Sequence, residues 1–311
     1  MSSQKSNNLI FGIIGYGSIG KVHKKVLDEL GYKNYIYDTK KKNKNTVTLT
    51  RLKKLCNTII ISSPSYSHFY YLKFFSKTNK HIFIEKPFSH EFKKTNKIIQ
   101  IYKKNKKIIA INYNLRVRES IISLKNILKK VKKIYWSNFL MSSDVLKWRN
   151  KYEFSKNYTH HKLAGGIIFD SIHEIDLNNF LFKKIKFVNS NNLILNKKIF
   201  KKYSFSNINL LAEDKFLSTI QLDYNGNPDQ REINILTDIG LIKVDIKKNK
   251  MSVYNKKNKR VIFRKFNENK FKDYKKMLEN FIKCIKNPKH KIICGPEDAI
   301  KNLKLAIKAN V

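Results

Sequence analysis

Leu9-Ile10-Phe11-Gly12-Ile13-Ile14-Gly15-Tyr16-Gly17-Ser18-Ile19-Gly20 is the stretch whose reading decides the fold. Its first half is a short, mostly apolar run of strand length. Its second half is a glycine turn with the spacing G-x-G-x-x-G. Lys21 to Leu30 then has the pattern of a helix. The next apolar run, Tyr35-Ile36-Tyr37, closes on Asp38, eighteen residues after Gly20. Strand, glycine turn, helix and an acidic residue in this order form the context of a dinucleotide-binding turn. Gly15 permits the tight bend, Gly17 lets backbone approach a pyrophosphate, and Gly20 lets the helix pack on the strand. Tyr16, Ser18 and Ile19 complete the turn, and the helix start offers N–H groups to phosphate oxygens. Asp38 is positioned to accept hydrogen bonds from the adenosine ribose, which favours NAD. Lys40, Lys41 and Lys42 follow at once and leave NADP open. A tight turn in some other α/β fold is the competing explanation.

Working outward, strands and helices alternate through the first third of the chain, as in a doubly wound parallel sheet. Strands are expected at Thr58–Ser63, His81–Ile84 and Ile108–Ile111. Helices are expected at Ser67–Thr78, Thr95–Asn105 and Glu119–Lys130. The pattern then changes. A strand over Lys133–Met141 and a loop-like stretch lead to Gly165-Gly166 and one apolar helix, Ile167–Phe182. Alternating segments follow at Val188–Leu195, Phe216–Tyr224, Glu232–Thr237, Leu241–Ile246 and Arg260–Arg264, as in an open, mainly antiparallel sheet. Helices at Lys270–Lys286 and Pro296–Ala309 close the chain. The expected architecture is therefore α/β, with a Rossmann domain over 1–118 and a second α/β domain over 119–311 that carries the open sheet.

The chain has 311 residues, of which 41% are hydrophobic, enough for two ordinary domains. No apolar run is long enough to span a bilayer, and the polar start Met1–Asn8 does not read as a signal peptide. Three cysteines, Cys56, Cys284 and Cys294, show no metal-ligand spacing, which suits reduced thiols and a cytoplasmic location. Lys and Arg outnumber Asp and Glu by 65 to 23, a formal charge of +42. The lysines are spread over the whole chain and accompany Asn, Ile, Phe and Tyr, the residues of A/T-rich codons. No nucleic-acid motif goes with them, so no specific nucleic-acid partner is expected. The positive field still favours anionic metabolites.

Two constellations carry chemistry. Glu85-Lys86-Pro87 ends a parallel strand, where open α/β sheets place ligands. Pro87 biases Lys86 towards extended backbone, so its ammonium can enter a crevice. A solvated lysine in a lysine-rich chain is the alternative. Asp170, His173 and Asp176, spaced by three, would share one flank of the expected helix. His173 is then a candidate general base, with Asp170 or Asp176 orienting its ring. A structural histidine held by a carboxylate is the alternative there. Nothing nearby completes a metal site.

The motifs together resemble the glucose-fructose oxidoreductase / inositol dehydrogenase (Gfo/Idh/MocA) family. The resemblance runs through the glycine turn, Ser63-Pro64-Ser65-Tyr66-Ser67-His68, Lys80–Pro87, Asn112-Tyr113-Asn114-Leu115-Arg116 and Gly165–Asp176. It departs in one respect: Asp170 precedes His173 by three residues, where many members have four. The His173-Glu174-Ile175-Asp176 form, with Trp148-Arg149, Tyr152 and Tyr158, is similar to a subgroup linked to cell-surface sugar biosynthesis. The resemblance implies hydride transfer between a nicotinamide and a hydroxyl or carbonyl carbon of a sugar, nucleotide sugar or polyol. It implies cofactor contacts from the glycine turn, Asp38, Ser63, Pro64, His68, Glu85, Lys86 and Asn114. It implies substrate contacts from Lys86, Arg116, Trp148, Tyr158, Asp170 and His173. Lys86, His173 and Asp170 would carry the chemistry, and the open sheet would mediate a homo-oligomer. A catalytically silent NAD-binding regulator is the competing function.

Overall fold

A computed structural model describes residues 9–40, 43–90, 92–148, 165–182 and 184–311. The chain divides into two compact units, Met1–Asn114 with Asn269–Ile300, and Leu115–Glu268 with Lys301–Val311. Residues 269–300 thus belong to the first unit although they follow most of the second in sequence.

In the first unit five parallel strands, β1 (Phe11–Ile14), β2 (Asn34–Tyr37), β3 (Thr58–Ile61), β4 (His81–Glu85) and β5 (Ile109–Asn112), lie in the order β2-β1-β3-β4-β5. Helices α1 (Ser18–Glu29), α2 (Leu49–Leu55), α3 (His68–Ser76) and α4 (Phe92–Lys104) connect them. The inner strands β1, β3 and β4 read as nearly unbroken apolar runs because they are covered on both faces. Ile13, Ile59–Ile61 and Ile82–Ile84 are fully buried. The helix Lys270–Lys286 starts where the Asn269 side chain accepts from the Lys272 N–H. It buries Met277, Leu278 and Phe281, with the Phe281 ring 5.4 Å from Phe83 of β4.

The second unit opens with α5 (Glu119–Leu128), β6 (Ile134–Ser142) and α6 (Val145–Trp148). The expected helix over 167–182 is in fact two, α7 (Ile167–Asp170) and α8 (His173–Leu181), separated at Ser171-Ile172. Asp and Ser are weak helix formers, and both are drawn into tertiary bonds. Asp170 accepts from Tyr224, and the Ser171 hydroxyl lies 3.3 Å from the Met141 sulfur. Strands β7 (Lys186–Leu193), β8 (Phe205–Leu211), β9 (Leu217–Asp223), β10 (Gln230–Thr237), β11 (Gly240–Asp245), β12 (Lys250–Asn255) and β13 (Val261–Lys265) follow. Helices α9 (Lys270–Lys286, described above) and α10 (Pro296–Ala309) end the chain.

The eight strands lie in the order β13-β12-β11-β10-β6-β9-β8-β7, antiparallel except for the parallel pair β6–β9. One face carries Phe139, Ile208, Ile220, Ile233 and Ile242, all buried, and α5, α7 and α8 pack on this sheet. On the other face the register aligns Val261, Tyr254, Leu241, Leu236, Trp136, Leu217 and Leu211 in one row across seven strands. Val261, Tyr254, Trp136, Leu217 and Leu211 in that row are exposed.

Candidate active site

The strand order reverses between β1 and β3, and open α/β sheets bind ligands outside the carboxyl ends at such a point. Four expected segments leave the sheet at these ends: Gly15–Gly20 after β1, Ser62-Ser63 after β3, Glu85-Lys86 closing β4, and Asn112–Asn114 closing β5. The three glycines differ physically. Gly15 has φ +91°, and a Cβ there would lie 2.6 Å from the Ser63 backbone. A Cβ on Gly20 would strike the Gly15 carbonyl, while one on Gly17 meets nothing within 4 Å. Gly17 is therefore the open position of the turn, which is where a pyrophosphate needs room. It also caps α1 without a side-chain partner. The Tyr16 N–H donates to Asp38 Oδ2 at 2.6 Å, and the Lys40 N–H donates to Oδ1 at 2.8 Å. Asp38 is thus fixed beside the turn at the end of β2.

His68 spans two of the strand-end loops. Its Nδ1 lies 2.8 Å from the Pro87 carbonyl and its Nε2 2.8 Å from the Ser63 carbonyl. Burial pushes its pKa below the usual histidine range, against the raising effect of those two carbonyls. The Ser63 and Ser67 hydroxyls meet at 2.7 Å, and Ser67 also donates to the Pro64 carbonyl at 2.7 Å. The ring therefore braces the Ser63-Pro64 turn against Lys86-Pro87, whose peptide bond is cis. Lys86 is partly exposed. Glu85 is buried, and its Oε1 accepts from His23 Nε2 at 2.7 Å and from Asn112 Nδ2 at 2.7 Å. Asn114 begins the turn Asn114–Val117 and is nearly buried.

In the second unit His173 begins α8, and Asp170 ends α7. Asp170 Oδ2 accepts from the buried Tyr224 hydroxyl at 2.9 Å. The Tyr224 ring in turn stacks on Phe200 with centroids 5.8 Å apart. Asp176 faces a different partner. Arg116 Nε and Nη2 donate to its carboxylate at 2.9 and 2.6 Å, and Asn302 Nδ2 donates at 2.6 Å. The Arg116 guanidinium also lies over the Phe180 ring at 5.0 Å. Arg116, expected to meet substrate, is 3% exposed and spends its fork on Asp176. Glu174 is engaged by Arg231 at 2.6 Å. The main chain of Trp148 ends α6, whereas Arg149, Tyr152 and Tyr158 lie outside the described residues.

Sequence alone singles out neither Tyr224 nor Asn302, which reach their partners across 54 and 126 residues. His23 did leave a signal. It falls on the buried stripe Gly20, His23, Val26, Leu27 of α1, where an apolar residue is the norm. Among the described residues no group of His, Cys, Asp and Glu is arranged to hold a metal. No helix there is long and apolar enough to cross a membrane.

Residues 9–113 match the model of an oxidoreductase family with an NAD-binding Rossmann fold, GFO_IDH_MocA. No curated protein sequence matches the chain. Among solved structures, UDP-N-acetylglucosamine 3-dehydrogenase GnnA from Acidithiobacillus ferrooxidans is similar at TM-score 0.80 and 15% identity, covering 97% of this chain and 96% of that one. The WlbA dehydrogenase from Bordetella pertussis, solved with NADH and UDP-GlcNAcA, gives 0.78 and 16%, covering 96% and 94%. An inositol dehydrogenase homolog from Azotobacter vinelandii, solved with NADH and myo-inositol, gives 0.79 and 8%, covering 97% and 94%. At these identities the likeness is one of fold.

Proposed function

We propose that this chain, whose residues 9–113 match the GFO_IDH_MocA oxidoreductase family model, is an NAD-dependent dehydrogenase acting on a hydroxyl or carbonyl carbon of a sugar, nucleotide sugar or polyol. The carrying observation is the gathering of the glycine turn, Ser63, Glu85-Lys86 and Asn112–Asn114 at the carboxyl ends of β1, β3, β4 and β5. The open side of Gly17 and the uncapped start of α1 fit a pyrophosphate. Asp38, held by two backbone amides, presents a fixed carboxylate to ribose hydroxyls. The substrate class draws support from the ligands and activities named for the similar folds. The +42 charge favours the anionic members of that class.

When bound, the nicotinamide supplies or takes up the hydride. The chain's own residues handle the rest. His173 moves the hydroxyl proton as general base or acid. Lys86 donates a hydrogen bond to the reacting oxygen and stabilises its developing negative charge. Asp170, fixed by Tyr224, contacts the substrate or orients His173. Arg116 serves by anchoring α8 through Asp176, and His68 serves by bracing the Ser63-Pro64 turn. Trp148 and Tyr158 complete the substrate set. The enzyme acts in the cytoplasm as a homo-oligomer. The exposed apolar row of the sheet and three buried cysteines held in no disulfide support that assignment.

A screen of UDP-sugars, free sugars and inositols with NAD and NADP, read by nicotinamide absorbance, tests the proposal. It predicts turnover on at least one compound, with NAD the better cofactor. His173→Ala and Lys86→Ala should each lower kcat about 10²–10⁴-fold while NADH still binds. Turnover by His173→Ala near the wild-type level would remove that residue as the base.

A further inference from the structure

His23 lies three residues after the glycine turn, as the sixth residue of α1, and is fully buried. Its Nε2 is 2.7 Å from Glu85 Oε1. A carboxylate accepts, so the ring nitrogen donates. The same oxygen takes a second bond from Asn112 Nδ2 at 2.7 Å. Three elements thus meet at one carboxylate oxygen: α1, the C-terminal end of β4 and the C-terminal end of β5. The ring is packed edge-on to Phe83 at 5.5 Å and against Tyr274 at 5.2 Å, which leaves it one orientation.

This arrangement costs the core something. Among the described residues, His23 Nδ1 and Asn112 Oδ1 are buried with no hydrogen-bond partner. An unsatisfied buried polar atom is destabilising, and an apolar ring at position 23 would avoid it. Both side chains nonetheless direct their donor to Glu85 Oε1. What they secure is the placement of Glu85, and with it the main chain of the adjoining Lys86.

We propose that His23 is a positioning residue for the cofactor site: it ties the pyrophosphate helix to the β4 end and fixes Glu85 for the nicotinamide half. The inference rests on the NAD-dehydrogenase reading above and adds to it a residue that touches neither cofactor nor substrate. Its effect should fall on how the nicotinamide end is held, not on the adenosine end, which Asp38 and the glycine turn secure independently.

Comparison of His23→Gln with His23→Asn tests this. Both bury one amide. The Gln amide nitrogen reaches the place of Nε2, whereas the Asn amide stops at the place of Nδ1. The probe is NADH, followed by calorimetry and by the gain in nicotinamide fluorescence on binding. His23→Gln should keep the wild-type fluorescence gain. His23→Asn should lose most of it while its Kd stays within about tenfold of wild type, the scale of one ordinary hydrogen bond. If the two variants behave alike, whether both retain the gain, both lose it or both fail to fold, His23 is a packing residue only. Failure of the wild-type protein to bind NADH would instead overturn the dehydrogenase reading itself.

Discussion

Gly15, Gly17 and Gly20 share one motif but answer to different forces, and single substitutions should separate them. Gly17 borders open space, so Gly17→Val leaves the thermal midpoint unchanged while NADH binding is lost, as calorimetry would register. Gly15 is confined by a positive φ and by the Ser63 backbone. Gly15→Ala should therefore destabilise the protein by about 1–3 kcal/mol, the usual cost of such backbone strain, measured by denaturant unfolding. Asp38 is held by the Tyr16 and Lys40 amides. Asp38→Ser would remove the negative charge beside the ribose and should shift the NADP-to-NAD affinity ratio about tenfold towards NADP, some 1.4 kcal/mol. Asp38 is legible because its partners, Tyr16 and Lys40, are local to the first βαβ unit, whereas the neighbour that confines Gly15, Ser63, comes from the end of β3.

At the scale of elements, the buried Arg116–Asp176 pair ties the start of the second unit to α8. Removing one member strands a charge in the core. Arg116→Ala should thus cost about 3–5 kcal/mol in urea unfolding. A small stability loss with a large rise in substrate KM would return Arg116 to the substrate. His81, at the start of β4, gives a pH dependence of known sign. Burial first, then Lys107, pushes its pKa down to about 4. Its Nδ1 accepts from the Ile108 N–H at 3.2 Å, which requires the neutral ring. The folded pKa is below the unfolded value, so the unfolded chain takes up the proton first. The contribution is full above about pH 6.5 and fades as the pH falls towards 4. Melting temperatures measured from pH 7 to pH 4.5 should fall, less steeply in His81→Gln. Apolar runs expose most strands to sequence reading, but in β8 and β12 the apolar residues are interleaved with Asn, Ser or Lys and form no continuous run. The break between α7 and α8 is hidden for another reason: the tertiary partners of Asp170 and Ser171 are distant in sequence, Tyr224 just after β9 and Met141 on β6.

For the whole molecule, the division into units was only partly readable, because the return of Asn269–Ile300 is set by packing of Phe281 and its neighbours on β4, not by any punctuation near Glu268. The row from Val261 to Leu211 is apolar across seven strands, with five of its residues exposed, and contiguous exposed apolar surface is what an interface between copies would cover. Sedimentation should give an oligomer at micromolar concentration, and Trp136→Lys, placed mid-row, should shift it towards monomer; a monomeric wild-type protein would refute the assembly. The central claim is that the β1/β3 switch point binds NAD through the open side of Gly17. Calorimetric titration of NADH into the wild-type chain and into Gly17→Val tests it most directly. The wild type should show one saturable site and a folded Gly17→Val protein none. Absent heat in the wild type, or equal affinity in both, would contradict it.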